Sequence, residues 1–161
     1  MSQPAQKPGR SKQDYGTPRA FLVAVEARFG ALQFDLAASA DNSKCLGHFS
    51  EMVDSLTQDW CKLRGNLWLN PPFANIDPWA AKCAASFSPT RWIFLLTPAS
   101  IGTEWFAAHV WGIARVMPLR PRMTFDGTPI NPKTGRPDPY PKDLMLSVFG
   151  AEPGFEPWKY L

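Results

Sequence analysis

The chain has 161 residues, 45% of them hydrophobic, and a formal net charge of +3. That length supports one domain with a sizeable core, and no apolar run approaches the roughly 20 residues needed to cross a bilayer. The N-terminus lacks the apolar core of a signal peptide, and Cys45, Cys61 and Cys83 neither pair completely nor form a Cys-x-x-Cys, so reduced thiols, a cytoplasmic location and no membrane partner are expected.

Residues 1 to 13 are polar and without periodicity, which reads as a flexible N-terminal arm. Residues 14 to 161 read as the folded domain. Thr17-Pro18 opens a helix, with Thr suited to the N-cap and Pro to the first helical position. Phe21, Leu22, Val25 and Phe29 follow at helical spacing, and Gly30 is a natural stop. Leu32 to Leu36 reads as a short strand leading into Asp35-Leu36-Ala37-Ala38-Ser39. Residues 40 to 64 are irregular, with short helical possibilities near 50 to 56. Asn66 to Leu69 is a buried strand. Asp77-Pro78 repeats the cap-then-proline signal for a helix running to about Phe87. Residues 91 to 97, with Trp92-Ile93-Phe94-Leu95-Leu96, form the strongest strand, apolar enough for burial on both faces. Thr103 caps a helix carrying Trp105, Phe106 and Val110. Residues 114 to 119, 122 to 125 and 144 to 149 are strand-like. The connection from 126 to 143 is rich in Gly and Pro and reads as a long structureless loop, a feature that tends to be functional or disordered. Strand–helix alternation with a hairpin-like end predicts a three-layer α/β domain with a mostly parallel sheet.

The chemistry concentrates in Asn70-Pro71-Pro72-Phe73, directly after the buried strand. Two prolines donate no backbone hydrogen bonds and stop a strand abruptly. An Asn side-chain oxygen and a proline carbonyl can each accept one N–H of an exocyclic amine, while the ring stacks on a planar base. In open α/β sheets ligands sit at the carboxyl ends of strands. Both Asp35 and Asn70 fall there; if their strands are neighbours, one crevice holds both, the first site suited to a cofactor with a cationic amine and ribose hydroxyls and the second to presenting an amine to it.

The ordered set Thr17-Pro18, Phe34-Asp35-Leu36-Ala37-Ala38-Ser39, Asn42-x-Lys44-Cys45, Leu56-x-x-Asp59-Trp60, Asn70-Pro71-Pro72-Phe73 and Pro78-Trp79 resembles the phage-type DNA N6-adenine methyltransferases, from about residue 14 to 150. The resemblance implies a reduced Rossmann-like fold and S-adenosylmethionine as cofactor. Thr17 and Pro18 would close over the methionine part of that cofactor. Asp35 would pair with its α-amino group above the tight turn of Ala37, Ala38 and Ser39. Asp59 would accept from its adenine amine, and Trp60 would border that ring or belong to the core. Asn70, Pro71, Pro72 and Phe73 would hold an adenine extruded from DNA, with Phe73 standing where Tyr is commoner. The family's role in phage or prophage, protection of DNA from host restriction, is likewise an implication of the resemblance.

Asn-Pro-Pro-aromatic also marks enzymes acting on glutamine and on rRNA guanine amines. Those acceptors, and cytosine N4, therefore stand as alternatives. A catalytically inactive nucleic-acid-binding relative is another, against which intact Asp35, Asp59 and Asn70 argue. With no room for a large recognition domain, DNA contact is expected from the 126 to 143 loop and from Arg120, Arg122, Lys133, Arg136 and Lys142. Cys45-x-x-His48 with Cys61 is too incomplete for zinc, and no metal is expected.

Overall fold

The computed structural model describes residues 16–38, 43–50 and 52–161. The arm expected over residues 1–13, with Ser39 and Asn42 of the motifs above, lies outside them.

The first helix, α1 (Arg19–Phe29), starts one residue later than the Thr-Pro signal implies. Pro18 is its N-cap, its carbonyl accepting from Phe21 N and Leu22 N at 3.1 and 3.3 Å. Gly30 closes the helix at φ 94°, in the left-handed region where glycine has no Cβ to obstruct it. Then come β1 (Leu32–Asp35) and β2 (Gly47–His48), followed by two 3-10 turns, Ser55–Thr57 and Trp60–Lys62. β3 (Asn66–Leu69), α2 (Asp77–Ser86), β4 (Ile93–Pro98) and α3 (Glu104–His109) come next. Asp77 lies in the first turn of α2 behind an Ile76 N-cap, and Thr103 caps α3 through its backbone while its hydroxyl donates to Ser100 O. The chain ends with β5 (Arg115–Arg120), β6 (Ile130–Asn131), β7 (Arg136–Pro137), β8 (Leu144–Phe149), β9 (Gly154–Phe155) and β10 (Trp158–Lys159).

Among the described residues, eight strands form one mixed sheet in the order β10-β5-β8-β4-β3-β1-β2, with β9 also paired to β5. The pairs β1/β2, β1/β3, β3/β4, β5/β9 and β5/β10 are parallel. β8 runs antiparallel to both β4 and β5, between which it inserts. The sheet is thus mostly parallel, as the apolar runs implied, and compatible with a Rossmann-like fold.

Alternation along the buried strands divides the core. Leu67, Leu69, Ile93 and Leu95 face one side, where Ala80 and Cys83 of α2 and Phe106 of α3 cover them. Trp68, Phe94 and Leu96 face the other, against Phe21, Leu22 and Val25 of α1. That gives helix, sheet and helix layers. Each of these large side chains, withdrawn from water, contributes about 1.5–3 kcal/mol of transfer free energy.

Two expectations are corrected. Residues 122 to 125 are not a strand. Met123 and Phe125 alternate with polar neighbours because they pack on the α1-side core, not because they pair in a sheet. The 126 to 143 connection is not structureless either. β6 and β7 form an antiparallel ribbon within it, pairing Ile130 with Pro137 and Asn131 with Arg136. Asn131 supports the ribbon by donating from Nδ2 to Asp138 and accepting from Lys133 N.

Strand direction then fixes what meets at one edge. β1, β3, β4 and β5 all run the same way, so their carboxyl ends share an edge. The connection from β5 to β8 leaves and re-enters the sheet at that edge, because β8 is antiparallel. α1 leads into the start of β1, so its own beginning, next to Thr17, also lies there.

Candidate active site

Asp35 pairs with Trp68 across the β1/β3 register, two residues short of Asn70. The register therefore places the acid and the Asn-Pro-Pro-Phe motif side by side at the carboxyl edge. Asp35 is only 3% exposed. Its Oδ1 accepts from Ala37 N and its Oδ2 from Lys44 N, both at 3.2 Å. Burial raises its pKa. The two backbone N–H groups and the electrostatic influence of nearby His48 and Lys44 oppose that rise without cancelling it. A carboxylate has about four lone-pair sites. Two here accept backbone N–H, and among the described residues no cationic side chain makes an ion pair with it. This donor set fits a ligand that brings a cationic amine. Ala37 and buried Ala38 continue the turn, with Ala38 N donating to Phe49 O. Neighbouring Cys45 has its thiol pushed up to about 12, mainly by burial and then by the Asp35 charge, so it carries no thiolate chemistry.

Thr17 reaches the same edge from in front of α1. It is 2% exposed, and its hydroxyl accepts from Asn70 Nδ2 at 3.2 Å. That contact explains why Thr17 does not cap the helix: its oxygen is turned to the motif. It also orients the Asn70 amide, whose acceptor atom is Oδ1. Pro71 is buried, Pro72 exposed and Phe73 half-buried.

Phe73 meets two rings from the β5–β8 connection. Its centroid lies 6.4 Å from Phe125 and 5.9 Å from Tyr140, which are 5.6 Å apart, all edge-to-face. The same connection is stitched to the site twice more. Asp126 N donates to Gly16 O at 2.9 Å, next to Thr17. Asp126 Oδ2 lies 3.5 Å from Lys44 Nζ. Lys44, Phe125, Asp126 and Tyr140 were not assigned roles from the sequence. The signal that could have found two of them is an aromatic residue among turn formers: Phe125 before Asp-Gly, and Tyr140 within Pro-Asp-Pro-Tyr-Pro.

Asp59 and Trp60 belong to the second 3-10 turn, and Trp60 shares a core cluster with Leu36, on which Ala37 and Phe73 pack. Asp59 is exposed and caps the second 3-10 turn, its Oδ1 accepting from Cys61 N at 3.0 Å, with Lys62 Nζ 3.9 Å from Oδ2. Trp60 is 1% exposed, stacked on Trp79 at 6.4 Å, and donates from its indole N–H to Ser55 O. Arg91 holds this turn through the carbonyls of Cys61 and Leu63.

Arg120, Arg122, Lys133, Arg136 and Lys142 are all exposed. Arg122 pairs with Asp143 at 3.0 Å, while Lys133 and Arg136 sit on the ribbon. Arg115, at the opposite end of β5, is tied to Glu156. Among the described residues, no helix is long and apolar enough to cross a membrane, and no group of three or more His, Cys, Asp or Glu side chains could hold a metal ion.

Comparison with known proteins gives two findings. A family model described as DNA N-6-adenine-methyltransferase (Dam) matches residues 5–148. A curated DNA N-6-adenine-methyltransferase of Escherichia phage T1 is 30% identical over 112 residues, covering 70% of this chain and 47% of that protein. The chain thus spans about half the length of the curated relative that it matches.

Proposed function

We propose, for a chain that belongs to the DNA N-6-adenine-methyltransferase (Dam) family, the reaction which that description names: methylation of the adenine N6 amine in DNA. The observation that carries the reading is the β1/β3 register, which sets buried Asp35 beside Asn70-Pro71-Pro72-Phe73 at one sheet edge.

S-adenosylmethionine, when bound, supplies an electrophilic methyl group on a sulfonium. On this reading Asp35 holds the cofactor's cationic α-amino group, above the turn that Ala37 and Ala38 enter. Thr17 and Pro18 form the wall over its methionine part. Asp59 accepts from the adenine amine at its other end, with Trp60 beneath as core support.

The target amine is a weak nucleophile because its lone pair is delocalised into the ring. Asn70 Oδ1 and the Pro71 carbonyl accept its two N–H groups, which favours a pyramidal nitrogen with a directed lone pair. Thr17 keeps the Asn70 amide in the orientation that this needs. Phe73 stacks on the base, which must leave the duplex to reach the site. Most of the rate gain comes from positioning and electrostatics, with no covalent enzyme intermediate. Lys133 and Arg136 on the ribbon, with Arg120, Arg122 and Lys142, contact phosphates. Protection of phage DNA inside a bacterial host is the use we propose for that reaction, in keeping with the Escherichia phage T1 relative.

The test is transfer of labelled methyl to unmethylated duplex DNA, followed by nucleoside mass spectrometry. Label on cytosine, RNA or protein in place of adenine would overturn the acceptor assignment.

A further inference from the structure

Resting on this reading of the site, we propose that Phe125 and Tyr140 are positioning residues for Phe73, tying the neck of the β6–β7 ribbon to the pocket for the target base. Phe125 precedes the ribbon and Tyr140 follows it. Tyr140 N donates to Met123 O at 2.7 Å, which closes the neck. Both rings then pack on the one aromatic side chain of the Asn-Pro-Pro-Phe motif.

The geometry is specific. All three pairs are edge-to-face, at 63°, 69° and 87°. Each ring therefore fixes the tilt of the other two, since edge-to-face contacts depend on ring orientation. Phe73 follows two prolines, whose fixed φ limits how its backbone can move. Its ring angle is thus set by what packs on it, which is the edge of both core clusters and, edge-on, the two rings of the ribbon neck. The neck is also pinned beside Thr17 by the Asp126 N to Gly16 O bond. A ribbon displaced by DNA cannot move its neck without moving the ring that stacks on the base. The proposal assigns coupling between DNA engagement and base capture to these two side chains, neither of which touches the reacting atoms.

The experiment is a double-mutant cycle on the full chain, combining Tyr140→Ala with Phe73→Leu. It reads kcat and KM with unmethylated plasmid DNA, cofactor Kd by calorimetry, and Tm. Tyr140→Ala is expected to lower kcat by about ten-fold or more, since small misplacements of a positioned group cost that much. Cofactor Kd should stay near the wild-type value, and Tyr140→Phe, which keeps the ring, should recover turnover. In the Phe73→Leu background Tyr140→Ala should cost little further, because its effect passes through the ring already removed. If Tyr140→Ala does not fold, Tyr140→Leu keeps apolar volume and removes the ring edge. Additive losses in the cycle, or a fall in kcat matched by an equal loss of cofactor affinity, would overturn the proposal while leaving the reaction intact. A wild-type protein that makes no N6-methyladenine would remove the premise, and the inference with it.

Discussion

Thr17→Val replaces a hydroxyl by a methyl of nearly the same shape, at a position that is 2% exposed. It removes the acceptor of the Asn70 Nδ2 hydrogen bond and little else. A neutral hydrogen bond contributes about 0.5–1.5 kcal/mol net, and up to about 3 kcal/mol when a buried partner is left without a substitute. Asn70 is half-buried, so about 1–2 kcal/mol is expected. If the bond serves to aim the amide at the target amine, that energy appears in the barrier, and kcat falls by about 5- to 30-fold. Single-turnover methyl transfer with saturating cofactor and DNA reads the chemical step directly. Thr17→Ser keeps the hydroxyl and should retain most of the rate. A Thr17→Val protein with a lowered Tm and a single-turnover rate matching wild type would refute the reasoning, because the bond would then hold the fold together without directing Asn70.

Three further outcomes follow from the geometry. Asp35 is held above its ordinary pKa by burial, so the folded protein binds more protons than the unfolded chain between the two values. Stability should therefore fall as pH rises through that window, and denaturant titrations of Asp35→Asn should show a flatter pH profile. A cationic amine bound at Asp35 favours the ionised acid, so calorimetric cofactor affinity should rise with pH across the same window and be largely lost in Asp35→Asn; affinity independent of pH and of the substitution contradicts this. Asp59→Ala removes a cap and should lower Tm by the equivalent of about 0.5–2 kcal/mol. It should also raise cofactor Kd if Asp59 binds the adenine amine, whereas an unchanged Kd restricts it to capping. Lys133→Ala with Arg136→Ala should reduce the slope of log K against log salt for duplex binding by up to about 1.8, at about 0.9 per phosphate contact, with Tm unchanged. An unchanged slope would take the ribbon off the phosphates.

The regular elements were legible because their signals are local. Apolar runs marked β3, β4 and β8, and helical spacing ending in Gly30 marked α1. The ribbon was hidden because two-residue strands in a Pro- and Gly-rich stretch have no hydrophobic period to detect. β2, β9 and β10 were missed for the same reason. Met123 and Phe125 gave a false strand because alternate burial arises equally from packing a loop on a core. At the site, Asp35 and Asn70 stood out as polar residues closing apolar strands, and strand register brought them together. Thr17 reads as a cap from local pattern alone, because sequence shows the residue type but not where its oxygen points. Lys44–Asp126 and the Phe73–Phe125–Tyr140 trio join segments distant in the chain, and no local pattern encodes such pairings.

The most direct measurement of the central claim is labelled methyl transfer from S-adenosylmethionine to unmethylated duplex DNA, comparing wild type with Asn70→Ala and resolving the nucleosides by mass spectrometry. N6-methyladenine from wild type, and none from an Asn70→Ala protein that still binds cofactor, is the expected result. Cofactor binding with no label on adenine, or Asn70→Ala turning over like wild type, would contradict it.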